Sequence, residues 1–124
     1  MDDLEYLKRG GRVSPAVAFV GGLLGIKPVL HVDNEGHLIK RGTVRGRKAA
    51  LKALADKYAE LAREPGKAPV YICNAQCPGD VDILKGMLKE SCGTEVDLVV
   101  EIGPVIGAHS GPGTIAVFFL AKER

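Results

Sequence analysis

The sequence has no tryptophan and only three phenylalanines and three tyrosines, too few rings for a base-stacking platform on a sheet face. A net charge of +2 supplies little of the phosphate neutralisation on which nucleic-acid binding depends. No nucleic-acid partner is expected. Cysteine is scarce as well. Cys73, Cys77 and Cys92 form an odd set without a CxxC pair, which argues against a secreted disulfide framework and for reduced thiols in a cytoplasm. Cys73 lies in an apolar run and reads as core filling. His31 and His37 stand at no zinc-ligand spacing from the cysteines, so neither a metal nor a cofactor is expected. Asp2 and Asp3 follow Met1, where a signal peptide would carry basic residues. The uncharged run between Arg12 and Lys27 falls short of the ~20 residues a membrane-spanning helix needs. No internal repeat or low-complexity linker divides the chain.

What is present suits one globular domain. The chain has 124 residues, of which 46% are hydrophobic and 26% charged, enough for a core and an ordinary polar surface. Asp2 to Arg9 reads as a short helix with Leu4 and Leu7 on one face, acids leading and bases trailing, stopped by Gly10-Gly11. Ser14-Pro15 then opens a second helix, apolar all round from Ala16 to Leu24 and ended by Gly25. Its small residues Ala16, Ala18, Gly21, Gly22 and Gly25 allow either close packing against a sheet or room for an apolar ligand. Ile26 to Val32 and His37 to Arg41 read as a hairpin around Asp33-Asn34-Glu35-Gly36.

A long amphipathic helix is expected over Arg45 to Arg63, with Leu51, Leu54, Ala55, Tyr58, Leu61 and Ala62 as its apolar stripe. Val70 to Cys73 is a short buried strand. Gly79-Asp80 caps a further helix that ends at Gly93. Strands at Val96 to Ile102 and Thr114 to Ala121 flank a glycine-rich loop, Gly103 to Gly113. Interleaved helices and strands with hairpins predict an α+β two-layer sandwich, a mixed sheet covered by helices.

The loop from Gly103 to Gly113 carries the most distinctive chemistry. Its glycines and prolines impose an unusual backbone path, and His109 and Ser110 stand at its centre. An imidazole, a hydroxyl and neighbouring peptide N–H groups aimed at one point suit a carboxylate or a phosphate; the bland alternative is a demanding connection with an exposed histidine. Nucleophilic catalysis is a poor reading. The middle residue of Gly107-Ala108-His109-Ser110-Gly111 is His109, where the GxSxG elbow needs serine, and no loop carboxylate can orient the imidazole. A P-loop is excluded because no Lys-Ser or Lys-Thr follows the glycines, and no helix is expected to begin there. A second oddity is Arg45-Gly46-Arg47-Lys48, cations at a helix start where the macrodipole disfavours them by ~0.3–1 kcal/mol each. They are either a solvated surface or a contact for an anion or an acidic partner, and Arg12 is a further candidate.

Three ordered blocks, LEYLKRGGRVSPA, LLGIKPVLHVDNEGHLIKRGTVRGRKAAL and GPVIGAHSGPGTIAVFF, resemble the C-terminal half of DegV family proteins and span nearly the whole chain. The resemblance implies a lipid carrier, not an enzyme: two α/β domains hold one long-chain fatty acid, such as a C14–C18 acid, between them. Its tail lies in an apolar tunnel of the C-terminal domain. Hydroxyls of the N-terminal domain and the His-Ser/Thr loop of the C-terminal one bind the carboxylate, and a separate fatty acid kinase phosphorylates it. By position, His109 and Ser110 become head-group residues and Gly111 to Gly113 shape their turn, with Gly111 and Gly113 and the cation Arg12 in support. Ala18, Phe19, Gly21, Gly22 and Leu24 become tail pocket, and Arg45 and Arg47 head-group support or kinase docking. The family's N-terminal domain is missing from this chain, so residues 1–124 are expected to be a fragment with half the site and a bare apolar face prone to self-association. Two other readings compete. One is a phosphate cradle of a phosphotransfer enzyme, with Glu101 the nearest carboxylate; the other is a regulatory module docking an acidic protein through Arg45 to Lys48.

Overall fold

A computed structural model describes residues 1–2, 4–11 and 25–124. Its elements, in chain order, are helix α1 (Leu4–Arg9), strands β1 (Ile26–Val32) and β2 (Leu38–Arg45), helix α2 (Arg47–Leu61), strand β3 (Val70–Asn74), helix α3 (Pro78–Cys92), strand β4 (Leu98–Glu101), helix α4 (Pro104–Ser110) and strand β5 (Ile115–Phe119). The α+β architecture is the expected one, with its strands shared between two sheets. β1 and β2 form an antiparallel hairpin. β4, β3 and β5 form a mixed sheet in that order, with β3 parallel to β4 and antiparallel to β5.

The main core lies between that sheet and the two long helices. Alternation along β3 turns Val70 and Ile72 inward. They meet Leu51, Ala55 and Tyr58 from α2 and Val81, Leu84 and Leu88 from α3, residues three or four positions apart that share one face of each helix. The Tyr58 hydroxyl, fully buried, bonds Thr94 Oγ1 at 2.9 Å and accepts the Gly66 N–H at 3.3 Å, so the ring enters the core without stranding its polar end. Phe119 meets that ring edge-on at 5.0 Å. A second, smaller cluster joins Leu4 and Leu7 of α1 to Leu30 of β1 and Met1.

Several boundaries depart from expectation for identifiable reasons. β2 runs on to Arg45 because all of β1 is paired: Ile26 lies opposite Arg45 and Pro28 opposite Thr43, with a bulge at Val29/Leu30. α3 starts at Pro78 with Cys77 as N-cap, ahead of the Gly79-Asp80 cap read from sequence. Asn74 sets this start: its Oδ1 accepts the Cys77 N–H at 3.1 Å while its Nδ2 donates to the Val100 carbonyl at 3.3 Å. Cys73 is half-buried. It follows the inward Ile72, so its side chain leaves the core for the opposite face, and the core-filling reading is corrected. That face is apolar and open, with Tyr71, Leu98, Val100 and Phe118 exposed, Tyr71 pairing with Leu98 on one side and Phe118 on the other.

The largest difference lies between β4 and β5. The stretch read as an irregular loop contains α4, which opens at Pro104 with Gly103 as its N-cap, so the expectation that no helix begins there is corrected. Proline at the first helical position is pre-set for this role. Among the described residues no helix is long and apolar enough to cross a membrane. The helix expected from Ser14 to Gly25, and with it Arg12, Ala18, Phe19, Gly21, Gly22 and Leu24, lies outside the described residues.

Candidate functional site

The stretch from His109 to Gly113 leaves the end of α4 as a tight turn seated on the beginning of the chain. Tyr6 of α1 lies under Gly111: a Cβ added there would sit 2.5 Å from the ring's Cδ2. Asp2 lies against Gly113, where an added Cβ would come 2.7 Å from its own Cβ. Both glycines have positive φ, +79° and +80°, a region that L side chains rarely occupy. His109 is exposed, its Nδ1 so near Gly10 that a Cβ at Gly10 would stand 2.8 Å away. Close approach of backbone to side chain at Gly10, Gly111 and Gly113 therefore decides the shape of the turn.

The donors of this turn are distributed differently from the sequence reading. Ser110 is buried, and its hydroxyl donates to the Ile106 carbonyl at 2.9 Å, a bond back into its own helix. The Gly111 N–H donates to the Gly107 carbonyl at 2.8 Å and the Gly113 N–H to Ala75 at 2.8 Å. Thr114 Oγ1 donates to the Ser110 carbonyl at 2.9 Å. The expected convergence of hydroxyl and peptide N–H groups on one anion is thus corrected: these protons are engaged inside the fold. The Ser110 oxygen retains acceptor capacity, and the His109 ring presents the accessible donor. Beside it, Val105 and Ile106 on α4 are 73% and 61% exposed, an aliphatic pair at the helix tip.

The four basic-turn residues part company in the fold. Arg45 and Lys48 are exposed and line an open groove of about 490 Å³ with Gly46, Ala49, Lys52 and Met87. Arg47, which also lines this groove, is turned largely inward. Its Nε donates to Asp80 Oδ2 at 2.9 Å, Nη2 lies 2.8 Å from the same oxygen, and Nη1 lies 3.6 Å from Asp2 Oδ1. Neither Nη1 nor Nη2 reaches hydrogen-bonding geometry, although both are buried. Lys27 Nζ meets the same aspartate twice, at 2.7 Å from its carbonyl and 3.0 Å from Oδ1. Burial first, and then the charge of Arg47, push the Met1 α-amino group beside this cluster down from 8.0 to about 6. Desolvation raises the nearby Cys77 thiol above its ordinary value despite Arg47.

Sequence reasoning gave Asp2, Tyr6, Lys27 and Asp80 no part in a site. A signal for Asp80 existed: an acid in the first turn of α3 is the natural counter-charge for an arginine misplaced in the first turn of another helix. Nothing in the sequence foretold Tyr6 under Gly111. A cation could be met by Asp33, Glu35 and His37, whose ligand atoms lie within 4.8 Å of one another on the exposed hairpin turn. Asp33 Oδ1, however, already accepts the Glu35 and His37 N–H groups at 3.0 and 2.7 Å. In the phosphate-cradle alternative Glu101 was the carboxylate. It accepts the Gln76 N–H at 3.3 Å.

Residues 1–122 match the family described as "Uncharacterised protein, DegV family". A DegV domain-containing protein of Clostridium perfringens is 40% identical over 124 residues, covering 100% of this chain and 43% of its own length. A fatty acid binding DegV family protein from Streptococcus agalactiae superimposes with a TM-score of 0.76 at 36% identity, over 93% of this chain and 40% of that one. A DegV family protein from Eubacterium eligens, solved loaded with heptadecanoic acid, gives a TM-score of 0.76 at 28% identity, over 93% of this chain and 41% of its own. The chain thus spans about two fifths of the length of the relatives it matches.

Proposed function

We propose, because this chain belongs to the DegV family, that it forms the tail-holding part of a long-chain fatty acid carrier and is not itself a catalyst. The observation that supports this most is the turn at His109 to Gly113. It presents an accessible imidazole beside the exposed aliphatic pair Val105 and Ile106, the mixture of polar and apolar surface a carboxylic acid with a long tail requires. Relatives of similar fold are described as fatty acid binding or loaded with heptadecanoic acid. In this reading His109 donates to the acid head group, the Ser110 oxygen accepts from its protonated form, and Gly111 and Gly113 hold the turn. Arg12 supports the head group, and the tail lies along Ala18, Phe19, Gly21, Gly22 and Leu24.

The finer parts of the reading concern partners. A family-length protein would add hydroxyl contacts to the carboxylate from its N-terminal domain and would offer the acid to a separate fatty acid kinase. Arg45, exposed on the groove with Lys48, is the better docking candidate of the two arginines proposed, since Arg47 is committed to Asp80. The open face around Tyr71 and Phe118 is the surface for self-association of this chain or for the N-terminal domain. The carrier reading is tested by adding cis-parinaric acid, a fluorescent C18 acid, to the chain and competing it with stearate. Uptake that stearate displaces and His109→Ala weakens is the expected result. Absence of any displaceable uptake, together with no C14–C18 acid in extracts of the purified chain, would remove the reading.

A further inference from the structure

We infer that Lys27 and Arg47 are positioning residues for the His109–Gly113 turn, acting on it through the carboxylate of Asp2. The inference rests on the reading of that turn as the head-group contact. Gly113 packs directly on Asp2: a Cβ at Gly113 would lie 2.7 Å from Asp2 Cβ, 3.3 Å from Cγ and 3.4 Å from Oδ2. The place of Asp2 therefore limits where the turn can go. Asp2 in turn is held by charge, with Lys27 Nζ at 3.0 Å and Arg47 Nη1 at 3.6 Å from Oδ1. The side chains of Lys27 and Arg47 are only 18% and 23% exposed, while that of Asp2 is 44% exposed, so solvent reaches the pair from the aspartate's side and screens the attraction in part.

Arg47 is held by a partner from another helix. It opens α2, where the helix dipole disfavours a cation, and it is kept there by Asp80 in the first turn of α3. Asp80, Arg47, Asp2 and Gly113 thus form one line across α2, α3 and the start of the chain, with Lys27 joining from β1. On its far side the turn is stapled to the end of β3: the Gly113 N–H donates to the Ala75 carbonyl and the Ala75 N–H to the Thr114 carbonyl, both at 2.8 Å. The turn is clamped between a backbone staple and an aspartate that two cations hold in place. Freed of Asp2, its Gly113 end keeps the staple, while Gly111 still rests on Tyr6 and His109 on Gly10.

The test is amide hydrogen exchange by NMR on the full chain, comparing Gly113 and Ala75 with Ile72 in the core. Asp2→Asn, Arg47→Gln and Lys27→Met are each expected to speed Gly113 and Ala75 about tenfold relative to Ile72. Lys27→Arg should restore the wild-type rates, and the Asp2→Asn/Arg47→Gln pair should do little more than either change alone. A general loss of stability would speed all three amides together. That result, or Gly113 and Ala75 rates unchanged relative to Ile72, overturns the inference. Cis-parinaric acid binding by the same variants separates the two ideas. If the wild-type chain takes up no acid, the carrier reading fails while the exchange rates still decide whether Lys27 and Arg47 position the turn.

Discussion

The ring of Tyr6 lies directly beneath Gly111, leaving 2.5 Å between its Cδ2 and the place a Cβ on Gly111 would take. The contact joins α1 to the turn after α4, at opposite ends of the sequence, and depends on a residue without a side chain. Gly111→Ala would force this overlap in a backbone conformation of φ 79° and ψ 166° that is nearly closed to alanine. A loss of about 2–5 kcal/mol is expected from strain and overpacking combined. Urea unfolding measures it, and a loss below ~1 kcal/mol would show that α1 does not rest on the turn.

Tyr58 and Thr94 share a buried hydrogen bond, which the Gly66 N–H joins. Tyr58→Phe keeps the ring and removes the oxygen, leaving the Thr94 hydroxyl without its partner inside the core. The expected cost is ~1–3 kcal/mol. Thr94→Val, which removes the other polar group as well when made in the Tyr58→Phe background, should recover part of that loss in a double-mutant cycle.

Leu84 and Ile83 are neighbours on α3 that face opposite ways, 0% and 49% exposed. Leu84→Ala should lower stability by about 2–5 kcal/mol through lost burial and the cavity it leaves. Ile83→Ala should stay within about 0.5 kcal/mol of wild type. Equal effects on the thermal midpoint would contradict the orientation of α3 against β3.

Asp33 titrates below its ordinary value of 3.8, chiefly because the His37 backbone N–H bonds its carboxylate, with the positive charge of His37 assisting. The sign follows directly. A carboxyl whose pKa is lower in the fold stabilises the hairpin fully above the unfolded pKa, and that contribution disappears as pH falls through the folded one. Carbonyl-detected NMR should therefore place the Asp33 midpoint below 3.8. In Asp33→Asn the hairpin amides of Glu35 and His37 should lose their acid-dependent shift changes; if those changes persist, another group causes them.

Tyr71 and Phe118 stand opposite each other across β3 and β5 on the open face of the mixed sheet. Light scattering of the chain at high concentration is expected to show association through this face. Phe118→Glu should shift the population toward monomer, since a buried unpaired carboxylate opposes the contact. A wild-type chain that stays monomeric throughout would remove the interface.

Local signals carried much of this architecture. The spacing of Leu51, Ala55 and Tyr58, the run from Val70 to Cys73, and the turn residues Asp33 to Gly36 identified α2, β3 and the hairpin, because helix faces, buried strands and tight turns are written in residues a few positions apart. The family resemblance of the three ordered blocks was legible for the same reason. The helix α4 was not, since Gly107 inside it lowers helix propensity and hid a segment that Pro104 nonetheless starts.

The amino-acid sequence alone determined an α+β chain of DegV type and drew attention to His109, Ser110 and the cations at Arg45 to Lys48. Only the tertiary structure decided what those groups are free to do. It turned the Ser110 hydroxyl into its own helix, committed Arg47 to Asp80, left Arg45 in solvent, and set Asp2 against Gly113. The reason is physical: helices, strands and turns follow from neighbours along the chain, whereas hydrogen-bond and ion-pair partners are chosen among groups that meet only once distant segments pack.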